Sequence, residues 1–165
     1  MSEAETPELP ADRSTRREDL NADLIHPVLR QLYAYWEGKR AGRIGPARAD
    51  IDPVDFRYAI GWTALVDVVG DGESFNVRVW GGHMSVFTPN DYTGRQNLKF
   101  NDSEIGASVL ENFRWVVAHR RPLSMLRDRT TALGHYRYES MALPLSEDGE
   151  KVTQLLVTAI PPVGG

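Results

Sequence analysis

The 165-residue sequence contains no cysteine. That excludes disulfides, thiolate zinc sites, iron–sulfur clusters, cysteine nucleophiles and any cofactor tethered through sulfur. It is also the simplest state for a cytoplasmic protein. Long apolar runs are missing: none reaches transmembrane length, and residues 1–20 lack the apolar stretch of a signal peptide. Nor is there an excess of positive charge. The 19 Lys and Arg stand against 23 Asp and Glu, and a net charge of −4 gives no general attraction to nucleic acid or an anionic membrane. The histidines, His26, His83, His119 and His135, form no pair at metal spacing and have no carboxylate cluster nearby. No Gly-x-Ser-x-Gly elbow occurs, and neither Gly70-Asp71-Gly72 nor Gly81-Gly82 opens a helix as a phosphate loop would. These absences assign no catalytic residue and no metal site. They point to a soluble, cytoplasmic, non-enzymatic protein with no nucleic-acid or membrane partner.

What is present suits one globular domain with a tail: 41% hydrophobic and 25% charged residues are ordinary soluble values. Residues 1–21 are almost devoid of apolar side chains and read as a flexible leader. From Asn21 to Arg40, Leu24, Val28 or Leu29, Leu32, Tyr35 and Trp36 recur at three- and four-residue steps, predicting an amphipathic helix. Gly42 to Gly45 stops it, so residues 22–45 form an N-terminal helix and turn, and residues 46–163 form the main domain. Asp52-Pro53 predicts a capped short helix or turn to Tyr58, which is a better use of Asp50, Asp52 and Asp55 than a calcium loop.

The rest alternates as strands do. Trp62 to Val69 and Phe75 to Val79 flank the Gly70-Asp71-Gly72 hairpin signal. His83 to Phe100 suggests one-turn helices, and Asp102 or Ser103 caps a longer helix to Arg120, ended by Pro122. Three more strands, Leu123 to Thr130, His135 to Leu145 and Lys151 to Ile160, are divided by turns at Leu133-Gly134 and Glu147-Asp148-Gly149. The order predicts an α+β fold, a five-stranded antiparallel sheet with helices on one face. The added N-terminal helix can cover the other face. Arg78, Arg127, Arg129 and Arg137 are expected to pair across strands with Asp128 and Glu139.

Three stretches carry a resemblance to bacterial, nearly free-standing PAS-domain proteins. They are Leu32-Tyr33-Ala34-Tyr35-Trp36-Glu37-Gly38-Lys39-Arg40 with Pro46 to Pro53, then Asp91-Tyr92-Thr93-Gly94-Arg95, then Arg137-Tyr138-Glu139 with Leu143 to Gly149. The resemblance covers most of Asp23 to Ile160, and departs at Gly81-Gly82-His83-Met84, where the family has a less glycine-rich link. It implies a PAS fold and a sensory domain that binds a small apolar or amphipathic ligand and signals through a regulatory protein partner. The implied pocket lies between the sheet and the long helix, at Val77, Val79, Phe87, Phe113, Val117, Tyr136 and Tyr138.

Cysteine-linked flavins and chromophores are excluded, and the cofactor is otherwise left unassigned. Haem is disfavoured, because its best axial candidate, His119, reads equally as a water-facing residue at a helix C-terminus. Leu32, Tyr35 and Trp36 are the candidate seam of a homodimer or partner contact, or else pack on their own sheet. Two other functions stand beside sensing: a ligand-free interaction module with a filled core, and a small α+β enzyme. The enzyme requires a buried Asp–His or Asp–Tyr pair lining a pocket.

Overall fold

Apolar residues at alternate positions build a sheet with two covered faces. The computed structural model describes residues 11–87, 91–98, 107–131 and 134–162. The strands are β1 (Ala11–Asp12), β2 (Thr15–Arg17), β3 (Thr63–Val69), β4 (Ser74–Trp80), β5 (Leu123–Thr131), β6 (Gly134–Leu145) and β7 (Gln154–Ile160). The helices are α1 (Leu20–Asp23), α2 (Pro27–Arg40), α3 (Arg57–Ile60) and α4 (Ala107–His119), with 3-10 turns at Arg48–Asp50, Pro53–Phe56 and Gly82–Val86.

All pairings are antiparallel, and the order is β1-β5-β6-β7-β3-β4, with β2 also on β5. The five long strands are those expected from the sequence. The extra pair, β1 and β2, run one after the other along the free edge of β5 and act as one interrupted strand. At the break, the Arg13 amide donates to the Asp128 carbonyl at 2.8 Å, and the Asp128 amide donates to Ser14 Oγ at 3.1 Å. Residues 11–17 are therefore not a loose leader; residues 1–10 lie outside the described residues. A polar stretch can be held this way because an edge strand needs backbone partners more than apolar area.

Side-chain alternation then assigns the two faces. Ala64, Val66, Phe75, Val77, Ala142, Leu155 and Ala159 face α4, which buries Leu110, Phe113 and Val116 against them. Met141, Leu143, Leu145, Leu156 and Ile160 face the opposite way, onto Leu29, Leu32 and Trp36 of α2 and onto Phe56 and Ala59. We call these the inner and outer faces. Each large apolar side chain buried in this way contributes roughly 1.5–3 kcal/mol.

The helix expected over 21–40 is two helices. Leu24 and His26 are extended, because the residue before a proline is sterically driven out of helical backbone and Pro27 suits a first helical turn. The short helix expected at Pro53 is present, with Asp52 Oδ1 accepting from the Val54 amide at 3.0 Å. The expected cap at Asp102 or Ser103, residues 88–90 and 99–100 of the segment read as one-turn helices, and Leu133 of the hairpin turn lie outside the described residues, while the described part of that segment holds the 3-10 turn Gly82–Val86. Among the described residues, no helix is long and apolar enough to cross a membrane.

Candidate functional site

The inner face carries most of the residues expected to line a pocket, with one correction. β3 and β4 lose register between Leu65 and Val66: Val66 pairs with Val77, and Leu65 pairs with Val79, leaving Arg78 as an extra residue. Such a bulge reverses the sense of alternation beyond it. Val77 stays buried on the inner face, while Val79 is turned out and 47% exposed. Trp80, opposite Ala64, takes the inward place that simple alternation gives to Val79.

Phe113 meets Phe75 edge-on with ring centroids 5.4 Å apart, and Phe87 lies on Tyr138 at 4.4 Å. Val117 packs half-buried against the same cluster, whereas Tyr136 stands half-buried outside it. The face thus brings together Val77, Phe87, Phe113, Val117 and Tyr138. It adds Trp80 and Tyr92, with centroids 4.9 Å apart, which alternation alone does not reveal.

Trp80 has one polar side-chain atom, Nε1, and among the described residues this buried N–H has no hydrogen-bond partner. Leaving such a donor unmet costs about 1–3 kcal/mol, so an acceptor there has something to satisfy. Arg17 Nε and Gln154 Oε1 are likewise buried and unpartnered, but each of those side chains is anchored through another atom. Arg127, also inward on β5, is 3% exposed and donates to Ser108 Oγ on α4 at 3.1 Å. Near the end of the inner face, a close crossing explains the first glycine of the Gly81-Gly82 link. A Cβ at Gly81 would sit 2.3 Å from the Gly61 carbonyl oxygen, so no side chain fits.

The arginines do not take the partners expected of them. Arg78 pairs with Asp67 at 2.6 Å, and Asp128 pairs with His135 at 2.5 Å. Glu139, 2% exposed on the outer face, instead accepts from Arg17 Nη2 at 2.7 Å and from the Ile25 and His26 amides, both at 2.8 Å. Arg17 further donates to the Asp23 carbonyl and to Ser124 Oγ. One carboxylate therefore ties β2 and the start of α2 to β6, an arrangement favoured by the positive end of a helix. The sequence signal for it is faint, because Arg17 and Glu139 are 122 residues apart.

Leu32 and Trp36 are buried against their own sheet, with Trp36 Nε1 donating to the Pro144 carbonyl at 2.9 Å. They are consumed within the chain and offer no seam to a second copy. Tyr35, half-buried, donates to Asp55 at 2.8 Å and accepts from the Asp52 amide at 3.1 Å. Burial, with the neighbouring Asp55 and Asp52 carboxylates, raises its phenol above the usual tyrosine value, although the Asp52 amide works against this.

His119 lies exposed beyond the sandwich, stacked on Trp115 with ring centroids 4.2 Å apart. The Asp–His and Asp–Tyr pairs, His135–Asp128 and Tyr35–Asp55, are on the surface and not on the inner face. Among the described residues, no group of three or more His, Cys, Asp or Glu is placed to hold a metal ion. A groove of about 600 Å³ opens elsewhere, between α2 and the turn after α4, and none of the seven expected pocket residues lines it.

In comparison with known protein families, a family model described as a PAS domain matches residues 24–158. No match is found among curated proteins.

Proposed function

Because the chain belongs to the PAS-domain family, which makes it a sensory or regulatory module, we propose that it senses a small apolar or amphipathic molecule held between the inner face and α4. The observation that carries this reading is the buried, unpartnered Nε1 of Trp80 beside Tyr92. An aromatic wall with one unmet donor suits an apolar body bearing one acceptor.

The route outward runs through β6. Tyr138 touches the inner aromatic cluster, and the next residue, Glu139, faces the other way and holds the start of α2. A ligand that shifts Tyr138 shifts the anchor of α2 by a single backbone step, and a partner protein reads the new position of the helix. Such a ligand acts only through its different affinity for the two arrangements. We place this in the cytoplasm, on the cysteine-free composition. A homodimer remains part of the proposal, formed through surfaces other than the buried Leu32 and Trp36. PAS domains are generally not catalytic, and the surface position of both Asp pairs favours binding over catalysis here.

A second reading, a ligand-free interaction module, is favoured by the tight burial of Leu110, Phe113 and Val116. Native mass spectrometry of the purified chain separates the two. A retained small molecule, lost in the Trp80→Phe variant, is the outcome expected of a sensor. A bare protein mass with no visible absorption, unchanged by Trp80→Phe, moves the assignment to the interaction module. The same spectra report the oligomer mass.

A further inference from the structure

The edge strand β2 holds two adjacent arginines, Arg16 and Arg17. Successive side chains of a strand point to opposite faces, and at a sheet edge each can fold over onto the layer beyond. On β5, Arg16 is paired with Met125 and Arg17 with Ser124. Arg16 goes to the inner side, where its guanidinium lies 4.5 Å from the centre of the Trp115 ring on α4. Arg17 goes to the outer side and donates to Glu139 at 2.7 Å, to Ser124 Oγ at 3.0 Å and to the Asp23 carbonyl at 2.7 Å. Neighbouring residues of one strand therefore reach both covering layers. One touches α4 directly, and the other holds the carboxylate that anchors the start of α2.

Each grip is backed by a second contact. Glu18 lies 3.6 Å from Arg16 and 3.3 Å from Arg121, and Arg121 itself stands 5.4 Å from the same Trp115 ring. On the other side, Leu20 and Leu24, which link Arg17 to α2 along the chain, are buried in the outer cluster. Between the two grips the backbone has little room to yield, since Thr15, Arg16 and Arg17 all pair with β5. A strand that only covered the β5 edge would need backbone bonds and solvated side chains, as at the exposed Thr15. It would not need contacts to the layers on both faces.

We infer that β2 is a clasp that couples α4 to α2 around the edge of the sheet. When α4 shifts, Trp115 carries Arg16 with it, the paired strand follows, and Arg17 changes its hold on Glu139. The amides of Ile25 and His26 register the change, because Glu139 is their acceptor. Coupling of this kind is reciprocal, so a change at Glu139 is also felt at Trp115. As an output path from a sensed molecule, the clasp rests on the sensory reading and runs beside the Tyr138–Glu139 step. As a mechanical link it does not rest on that reading, and the chain without any added ligand tests it.

The test is hydrogen exchange followed by NMR on the full chain. Arg16→Ala and Trp115→Leu each remove the grip on α4. Both are expected to speed exchange at the Ile25 and His26 amides by about two- to five-fold, the factor that loss of an exposed cation–π contact implies. The Trp36 indole N–H, bonded to the Pro144 carbonyl under the same helix, is the control. Local loosening leaves it behind, whereas general destabilisation speeds all three groups alike. Arg16→Lys keeps a cation over the ring and should fall between Arg16→Ala and the parent, while Thr15→Ala on the same strand should change nothing. In Glu139→Gln the Trp115 indole resonance should move, although the two side chains lie on opposite faces of the sheet. Unchanged exchange at Ile25 and His26 in both α4-grip variants, equal acceleration at Trp36, an effect of Thr15→Ala as large as that of Arg16→Ala, or an unmoved Trp115 resonance overturns the clasp. None of these readouts involves Trp80 or a bound molecule, so failure here leaves the inner-face reading standing, and the reverse also holds.

Discussion

The two faces of the sheet solve the same burial problem in different ways. The outer face is aliphatic along β6 and β7, and its buried carboxylate, Glu139, accepts from three donors. The inner face is aromatic, built around Phe75, Trp80, Tyr92, Phe113 and Tyr138, and among the described residues it gives the Trp80 indole N–H nothing to donate to. Closed packing with a satisfied charge makes a structural joint. Aromatic packing with an unmet donor makes a place where another molecule gains by entering. Arg17 Nε and Gln154 Oε1, on the outer side, also lack a partner among the described residues, but both side chains are tied down through another atom, and that anchoring is what the Trp80 indole lacks.

The most severe way to break this comparison is to remove the joint. Glu139→Ala leaves the Arg17 guanidinium and two amide groups at the start of α2 without their acceptor, in a site where the side chains are 11% and 3% exposed. Loss of one partner from a buried pair costs about 3–5 kcal/mol, so the midpoint of urea unfolding should fall sharply. Glu139→Gln keeps an acceptor and should cost less. If Glu139→Ala unfolds within about 1 kcal/mol of the parent, β2 and α2 are held by something other than this carboxylate.

A smaller effect sharpens the boundary between the faces. Val77 is buried against α4, whereas Val79 lies beyond the bulge and is 47% exposed. Truncation to alanine should cost about 2 kcal/mol at Val77 and no more than about 0.5 kcal/mol at Val79. Equal losses in thermal or chemical unfolding would restore the simple alternation and remove Trp80 from the inner face.

These same residues mark how far the sequence can be read. The five long strands, their hairpins, the long helix and the cover supplied by α2 all follow from local periods and glycine turns. Phe75, Val77 and Val79 show an unbroken period of two, however, and a bulge at Arg78 needs a pairing partner, β3, before it exists at all. Residues 11–17 look like solvent-exposed chain because their docking rests on backbone bonds and one ion pair. The break at His26-Pro27 was legible, since proline restrains its predecessor, but the apolar spacing across it points to a single helix. Trp80 entered the site only through the bulge. The groove unites side chains from both ends of the sequence, which no window of residues can contain.

The smallest predicted effect tests the principle on its own. Asp148, in the turn before β7, accepts from the Glu150 and Lys151 amides at 2.8 and 3.0 Å. Like Glu139 it holds two backbone N–H groups, but it does so in water. Those bonds, the Glu150 amide first, hold its carboxyl below the ordinary aspartate value. A carboxylate lowered in the folded state adds stability above its unfolded pKa, about 3.9, and loses it as the pH falls through the depressed folded value. Asp148→Ala should therefore lower the melting temperature slightly at neutral pH, with the difference shrinking below about pH 4. The change should be far smaller than for Glu139→Ala, because water replaces the lost acceptor at the turn and cannot do so beneath α2. Comparable losses at the two positions would mean that burial does not set the strength of the joint, and the contrast between the faces would lose its physical basis.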